Sequence, residues 1–380
     1  MQKKLLAVAV AGALGAPAFA LAQNATVNVY GRIYLEYGKV YQGNTAGGLP
    51  LVDVDMMQTP GSNIGFRGEE KLGGNMSAWF QCESTADVRG QSQDGWCGRN
   101  SAIGLKGGFG NVFMGVWDTP FKRVQDATGS NDTGLFGSAF VLMNNSTTVA
   151  SGAASQAVFK RRQQNSFNYE TPSWGGFQLM GTWTNLNTQT ATLDSATGSK
   201  PRLWSLAAQY KNGPLNVYGG YETHKDVVAN TDRDDKGWLI GASYTFANSI
   251  KVGGLYSQQK WETSPVTEGK VNTWHIGVDW KISGPHGLRA AVSSANDIKG
   301  NSITAVGQRP AAINGGVTGS TGARLWQIRY VHTLSKRTEL TLGYVRLNND
   351  SNAAYQLGGL SSNGPGQDQH AFAFGVDHRF

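Results

Sequence analysis

The sequence predicts an all-β protein, a transmembrane antiparallel β-barrel of about sixteen strands. Three observations lead there. Polar and apolar residues alternate with period 2 over stretches of about ten residues. The links between those stretches alternate strictly between short and long. Beyond residue 22 no run approaches the ~18 apolar residues a membrane helix needs. Composition agrees: the 380 residues are 16% charged and include 51 Gly, 11 Trp, 13 Tyr and 15 Phe, whereas soluble domains carry about 25% charge.

Residues 1–22 read as a secretory signal, with Lys3 and Lys4 at its charged end, an apolar stretch over 5–14 and the small-x-small site Ala20-Leu21-Ala22 before Gln23. Gly12, Gly15 and Pro17 weaken the competing reading, a helical anchor. The exported domain is then 23–380. Two of the charges behind the formal +7 leave with the signal. Lys160-Arg161-Arg162 is the one basic block, so the composition does not point to nucleic acid.

The expected strands run in order. The first is 26–38, with Val27, Val29, Gly31, Ile33 and Leu35 on one face and Asn28, Tyr30, Arg32, Tyr34 and Glu36 on the other. Then come 62–72 with 75–85, and 98–106 with 111–117. Beyond a long loop lie 163–171 with 177–186, 201–211 with 215–224, and 237–246 with 250–260. The series closes with 270–282 and 288–296, 324–334 and 338–347, and finally 369–380. Turns of Gly, Pro, Asn and Ser join each pair.

The remaining links are longer and polar: 39–61, 86–97, 118–162, 187–200, 225–236, 261–269, 297–323 and 348–368. Strict alternation puts every short turn at one end of the strands and every long loop at the other, as in barrels with short periplasmic turns and long external loops. A β-sandwich has no reason to keep that order. The third long link, 118–162, shows no sustained period, and a link of that length inside a compact chain implies a function. We expect it to fold into the barrel and narrow it.

Each strand has one apolar face. Trp274, Ile276, Val278, Trp280 and Ile282 share a side, as do Trp204, Leu206, Ala208 and Tyr210, and Trp238, Ile240, Ala242, Tyr244 and Phe246. Aromatics near the row ends suit the two bilayer interfaces. Ten residues at about 3.4 Å, tilted near 45°, rise about 24 Å, the height of an apolar membrane band. The polar opposite face implies a wet lumen.

Several segments, in this order, carry a family resemblance: VNVYGRIYLEYG, NIGFRGEEKLGG, SAIGLKGGFGNVFMG, NSFNYETPSWGGF and the terminal AFAFGVDHRF. Together they resemble the Gram-negative general diffusion porins, most of all those of beta-proteobacteria, across essentially the whole mature chain. The resemblance implies a sixteen-stranded homotrimer in the outer membrane, with the third loop inserted at mid-height. It also implies partners: outer-membrane lipid and lipopolysaccharide, the outer-membrane assembly machinery, and small hydrophilic solutes and ions. It implies no cofactor and no metal.

In that family a basic row on the wall faces acids on the inserted loop. Matched by motif and face, Arg32, Arg99 and Arg162 fall on the wall, while Asn63 occupies a place where the family usually has a base. That departure argues for weak anion preference. Asp118, Asp126 and Asp132 are the loop's only acids, with Asp126 and Asp132 the main candidates to oppose the wall. A terminal Phe380, on one face with Phe374 and Phe372, resembles the signal read by the assembly machinery. Cys82 and Cys97, the only cysteines, flank a polar link in an oxidising compartment, where a disulfide is expected although strand parity puts Cys82 toward lipid.

Other functions find little support. The chain has no His-Glu-x-x-His, Gly-x-Ser-x-Gly, Gly-Lys-Ser/Thr or Cys-x-x-Cys motif. An outer-membrane hydrolase would need a poised Ser–His pair, and the sequence singles none out. An adhesin barrel is compatible with the outer loops but leaves the long third one unexplained.

Overall fold

The computed structural model describes residues 27–44, 48, 52–90, 95–130, 134–137, 141–143, 159, 161–185, 202–225, 234–247, 249–264, 267–300, 319–358, 360 and 365–380. The signal segment 1–22 lies outside them. The first strands are β1 (Asn28–Gln42), β2 (Val54–Gln58), β3 (Asn63–Gly73), β4 (Met76–Thr85), β5 (Ser101–Gly107) and β6 (Gly110–Asp118). They are followed by β7 (Arg162–Glu170), β8 (Phe177–Asn185), β9 (Arg202–Asn212), β10 (Leu215–Lys225), β11 (Asp234–Phe246) and β12 (Ile250–Ser264). The last are β13 (Thr267–Ser283), β14 (His286–Ala295), β15 (Lys299–Gly300), β16 (Ala323–Ser335), β17 (Thr338–Asn349) and β18 (Gln369–Arg379).

Five-residue β2 and two-residue β15 are short additions at the long-loop end, on β1 and β13. The other strands form a closed antiparallel ring of sixteen, because β1 pairs with β3 on one side and β18 on the other. Closure leaves no sheet edge in lipid, where an unpaired N–H or C=O costs several kcal/mol. The sequence-derived strands match the sixteen closely. The largest differences are the outer ends of β1 and β12, which extend four residues further, to Gln42 and Ser264. There the pattern reverses. Lys39 and Lys260 take the outward positions while Val40 and Trp261 are buried inward, so the expected alternation stops short of the strand ends.

The seam is made by the last residue. Gly31 N–H donates to Phe380 C=O (3.1 Å), and Phe380 N–H returns the bond to Gly31 C=O (3.0 Å). From Arg32↔Arg379 the register runs unbroken to Gln42↔Gln369. The Phe380 ring lies where a side chain at position 31 would be, 2.4 Å from an ideal Cβ. Only glycine lets that ring lie on the strand.

Burial alternates along each strand. In β16, Trp326, Ile328 and Tyr330 are exposed outward, while Leu325, Gln327 and Arg329 are buried inward. In β18, Phe372, Phe374 and Val376 face out, and Ala371, Ala373 and Asp377 face in. Outward apolar rows meet lipid and the inner face is mostly polar.

The 118–162 segment departs from the expectation of a structureless link. It opens with α1 (Pro120–Gln125), where the Thr119 side chain accepts from Lys122 N–H (3.4 Å) and Pro120 sits in the first turn. Six residues are too few to show a 3.6 period in sequence. Short 3₁₀ turns follow at Asp126–Thr128 and Gly134–Phe136. A second loop also turns inward: Ala353, Tyr355 and Leu357 are buried, with Leu357 N–H bonded to the Gln369 side chain (2.8 Å).

Replacing Gly31 with Val should displace the Phe380 ring and cost about 1–3 kcal/mol, the usual penalty for overpacking. Urea unfolding of the reconstituted barrel should then show a lower midpoint. Val29→Ile, two residues earlier on the same strand at an exposed outward position, should leave the midpoint unchanged and serves as the comparison.

Candidate functional site

Two groups of contacts on the inner face bear on the pore. The first is where β1 and β3 to β7 meet. The Glu83 carboxylate accepts from Arg99 Nε (2.6 Å) and from the Tyr30 hydroxyl (3.0 Å). Next to it, Arg162 Nε donates to Asn100 Oδ1 (2.8 Å) and lies 3.3 Å from Asp118 Oδ1. Asp118 also accepts from Asn100 Nδ2 (3.1 Å) and Lys122 Nζ (2.6 Å). Arg32 sits at the seam instead, with Nε and Nη2 on the two Asp377 oxygens at 2.8 and 2.9 Å. Such a bidentate pair fixes the guanidinium as well as neutralising it.

All three arginines expected on the wall therefore have a carboxylate beside them. Asp118, expected as a loop acid, is the final residue of β6 and lies in register with Arg162. Asp126 is exposed in the first 3₁₀ turn, and Asp132 lies outside the described residues. Asn63 is opposite Arg32. Tyr30, Glu83, Asn100 and Lys122 were not among the candidate site residues. Their partnerships arise from strand register, which alternation alone does not give.

The second is where described residues of the 118–162 segment bond to the inner face. Phe121 N–H donates to Ser205 Oγ on β9 (3.1 Å), and Lys251 Nζ on β12 donates to Ala127 C=O (3.0 Å). Ser130 Oγ donates to Val278 C=O on β13 (2.7 Å) and also meets Asp279. Gln327 Nε2 on β16 bonds the Ser130 and Phe136 carbonyls (3.0 and 2.7 Å), and Glu36 on β1 accepts Leu135 N–H (2.9 Å). At Gly253 the segment comes so close that an ideal Cβ would sit 1.9 Å from Thr128 C=O. Phe159, near the far end, stacks on His224 with centroids 4.6 Å apart.

Cys82 and Cys97 are joined, with Cα atoms 4.8 Å apart. Parity from the strands does not govern Cys97, which precedes β5 and has φ 56°. The bridge closes a polar link in which Arg89 bonds both Asp87 and the Met57 carbonyl (2.9 Å). The Arg89 hydrogen bond holds the Asp87 carboxyl down to about 2. Among the described residues no group of three or more His, Cys, Asp or Glu could hold a metal.

A closed ring of sixteen strands, polar inside and bonded there by Phe121, Ala127, Ser130 and Phe136, is the architecture of a diffusion channel. Residues 6–353 match the family model described as Gram-negative porin. The chain belongs to the Gram-negative porin family. It is 27% identical to outer membrane porin protein 32 of Delftia acidovorans, over 100% of both chains. It is 30% identical to the major outer membrane protein P.IB of Neisseria meningitidis, over 60% of this chain and 61% of that one. The anion-selective porin from Comamonas acidovorans superposes with a TM-score of 0.73 at 25% identity, covering 94% of this chain and 100% of that one. The protein is thus an outer-membrane channel and not an enzyme.

Asp118 compensates two cations in this porin, Arg162 and Lys122. Asp118→Asn should raise the anion-over-cation permeability ratio, read from the reversal potential across a salt gradient. The rise should be larger near 0.1 M than near 1 M salt, where the screening length falls from about 10 to about 3 Å. An unchanged reversal potential at both salts would mean that permeating ions do not sense Asp118.

Proposed function

We propose that this porin passes small hydrophilic solutes and ions by passive diffusion through a water-filled, weakly anion-preferring channel. The polar inner face of the closed ring is the observation that carries this reading. Basic residues outnumber acids in the chain, 33 to 26, which supports the sign of the preference. Carboxylates beside Arg32, Arg99 and Arg162 support its weakness. In low-dielectric walls the residual field is focused on the constriction. The 118–162 segment is read as the constriction loop, with Asp126 and Asp132 as its acids.

The same reading includes removal of residues 1–22, a homotrimer, contact with lipopolysaccharide, and recognition of the terminal strand by the assembly machinery through Phe372, Phe374 and Phe380. Outward exposure of all three phenylalanines is compatible with that recognition.

Purified protein in a planar bilayer should give ohmic conductance steps, commonly in threes. Silent membranes at saturating protein would contradict the channel reading. Replacing Arg32, Arg99 and Arg162 together by Ser should lower the anion-over-cation ratio, and an unchanged ratio would remove them from the selectivity site. Deleting Phe380 should cut the yield of folded, heat-modifiable trimer in the outer membrane, whereas assembly at the wild-type rate and level would refute its signal role.

A further inference from the structure

We propose that the pore wall carries a subsite for small aromatic carboxylates, centred on Arg67 and Trp79. The proposal rests on the channel reading and adds a substrate class to it. A cavity of about 460 Å³ is lined by Asn28, Arg67, Glu69, Trp79, Gln81 and Lys106, together with Gly68 and Phe80 at the strand positions between them. Arg67, Trp79, Gln81 and Lys106 face the lumen, since Phe80, Ile103 and Leu105, at the intervening positions of β4 and β5, are exposed on the other face. That volume suits one small organic molecule.

Arg67 differs from the other wall arginines. Its guanidinium lies over the Tyr30 ring at 5.0 Å, and among the described residues no carboxylate lies within ion-pair distance of it. It is exposed to the lumen. Glu69 is taken by Lys106 in a half-exposed pair, so the two charges cancel and one cation remains. A stacked guanidinium presents a planar fork that takes a carboxylate through two parallel bonds.

Trp79 supplies the other half. Its Nε1 donates to Asn111 Oδ1 (2.8 Å), which fixes the indole. Phe113 and Trp117 meet it at 57° and 67°, tilted and edge-on, so neither ring lies flat on its face. A flat apolar body beside a carboxylate fits that surface, because offset stacking adds to burial. Acetate or inorganic phosphate would engage Arg67 and leave the indole unused.

The test is the block of single-channel current by sodium benzoate, sodium acetate and inorganic phosphate at matched ionic strength. In the wild-type channel benzoate should act at a roughly tenfold lower concentration than the other two, a stacking-sized difference. Arg67→Ser should abolish block by benzoate. Trp79→Leu should bring benzoate to the acetate level, and Trp79→Phe should keep most of the difference. Equal block by the three anions in the wild type, or benzoate block that survives Arg67→Ser, would overturn the subsite. Heat-modifiability of each variant reports folding separately. Failure of the channel reading would look different, as no current would be present to block.

Discussion

Every backbone N–H and C=O that lies in lipid has to find its partner within the protein, and this requirement shapes the molecule. A sheet satisfies it only by closing on itself. Here closure depends on the two ends of the chain, with Phe380 bonded to Gly31 and the Arg32–Asp377 pair one step inward. Once the ring is closed, period-2 alternation has a single consequence. The apolar rows face lipid, and the polar rows are enclosed with water.

Enclosed polar groups then become attachment points. The inserted segment is held by side chains from several strands: Ser205, Lys251, Gln327 and Glu36, with Gly253 leaving room for its backbone. These are hydrogen bonds at the segment's own carbonyls and N–H groups, and since Ser205, Gln327 and Glu36 are buried at the contact, a backbone group left unpaired there would lose its water as well. The wall charges follow the same rule. A lone guanidinium inside the barrel would be costly to desolvate, and carboxylates stand beside Arg32, Arg99 and Arg162. Stability thus limits selectivity: the pairing that makes the charges tolerable also weakens the field an ion meets. Arg67 escapes the limit because it is exposed to the lumen and lies on Tyr30.

Much of the fold was legible in the sequence because a strand between lipid and water has to alternate. Where one side is not lipid the signal fades. β2 and β15 are too short to alternate, and the ends of β1 and β12 reverse the pattern, with Val40 and Trp261 turned inward. The six residues of α1 are too few for a helical period. The inward second loop around Tyr355 had no mark either. The site was legible as residue types and less so as partners. Arg32 and Asp377 are 345 positions apart, and only the closing register brings them together. Asp118 read as a loop acid because its strand ended where the alternation did.

On the proposed reading the lumen is open to water and narrowed by the segment attached to its inner face. Conductance in the presence of polyethylene glycols of graded size tests it most directly. Polymers below a sharp cut-off should enter and lower the conductance, and larger ones should not. Removing residues 126–136, among which Ala127, Ser130, Leu135 and Phe136 make the contacts to β1, β12, β13 and β16, should move that cut-off to larger polymers. A cut-off unchanged by the deletion would contradict the account, because something other than this segment would then set the narrowest point.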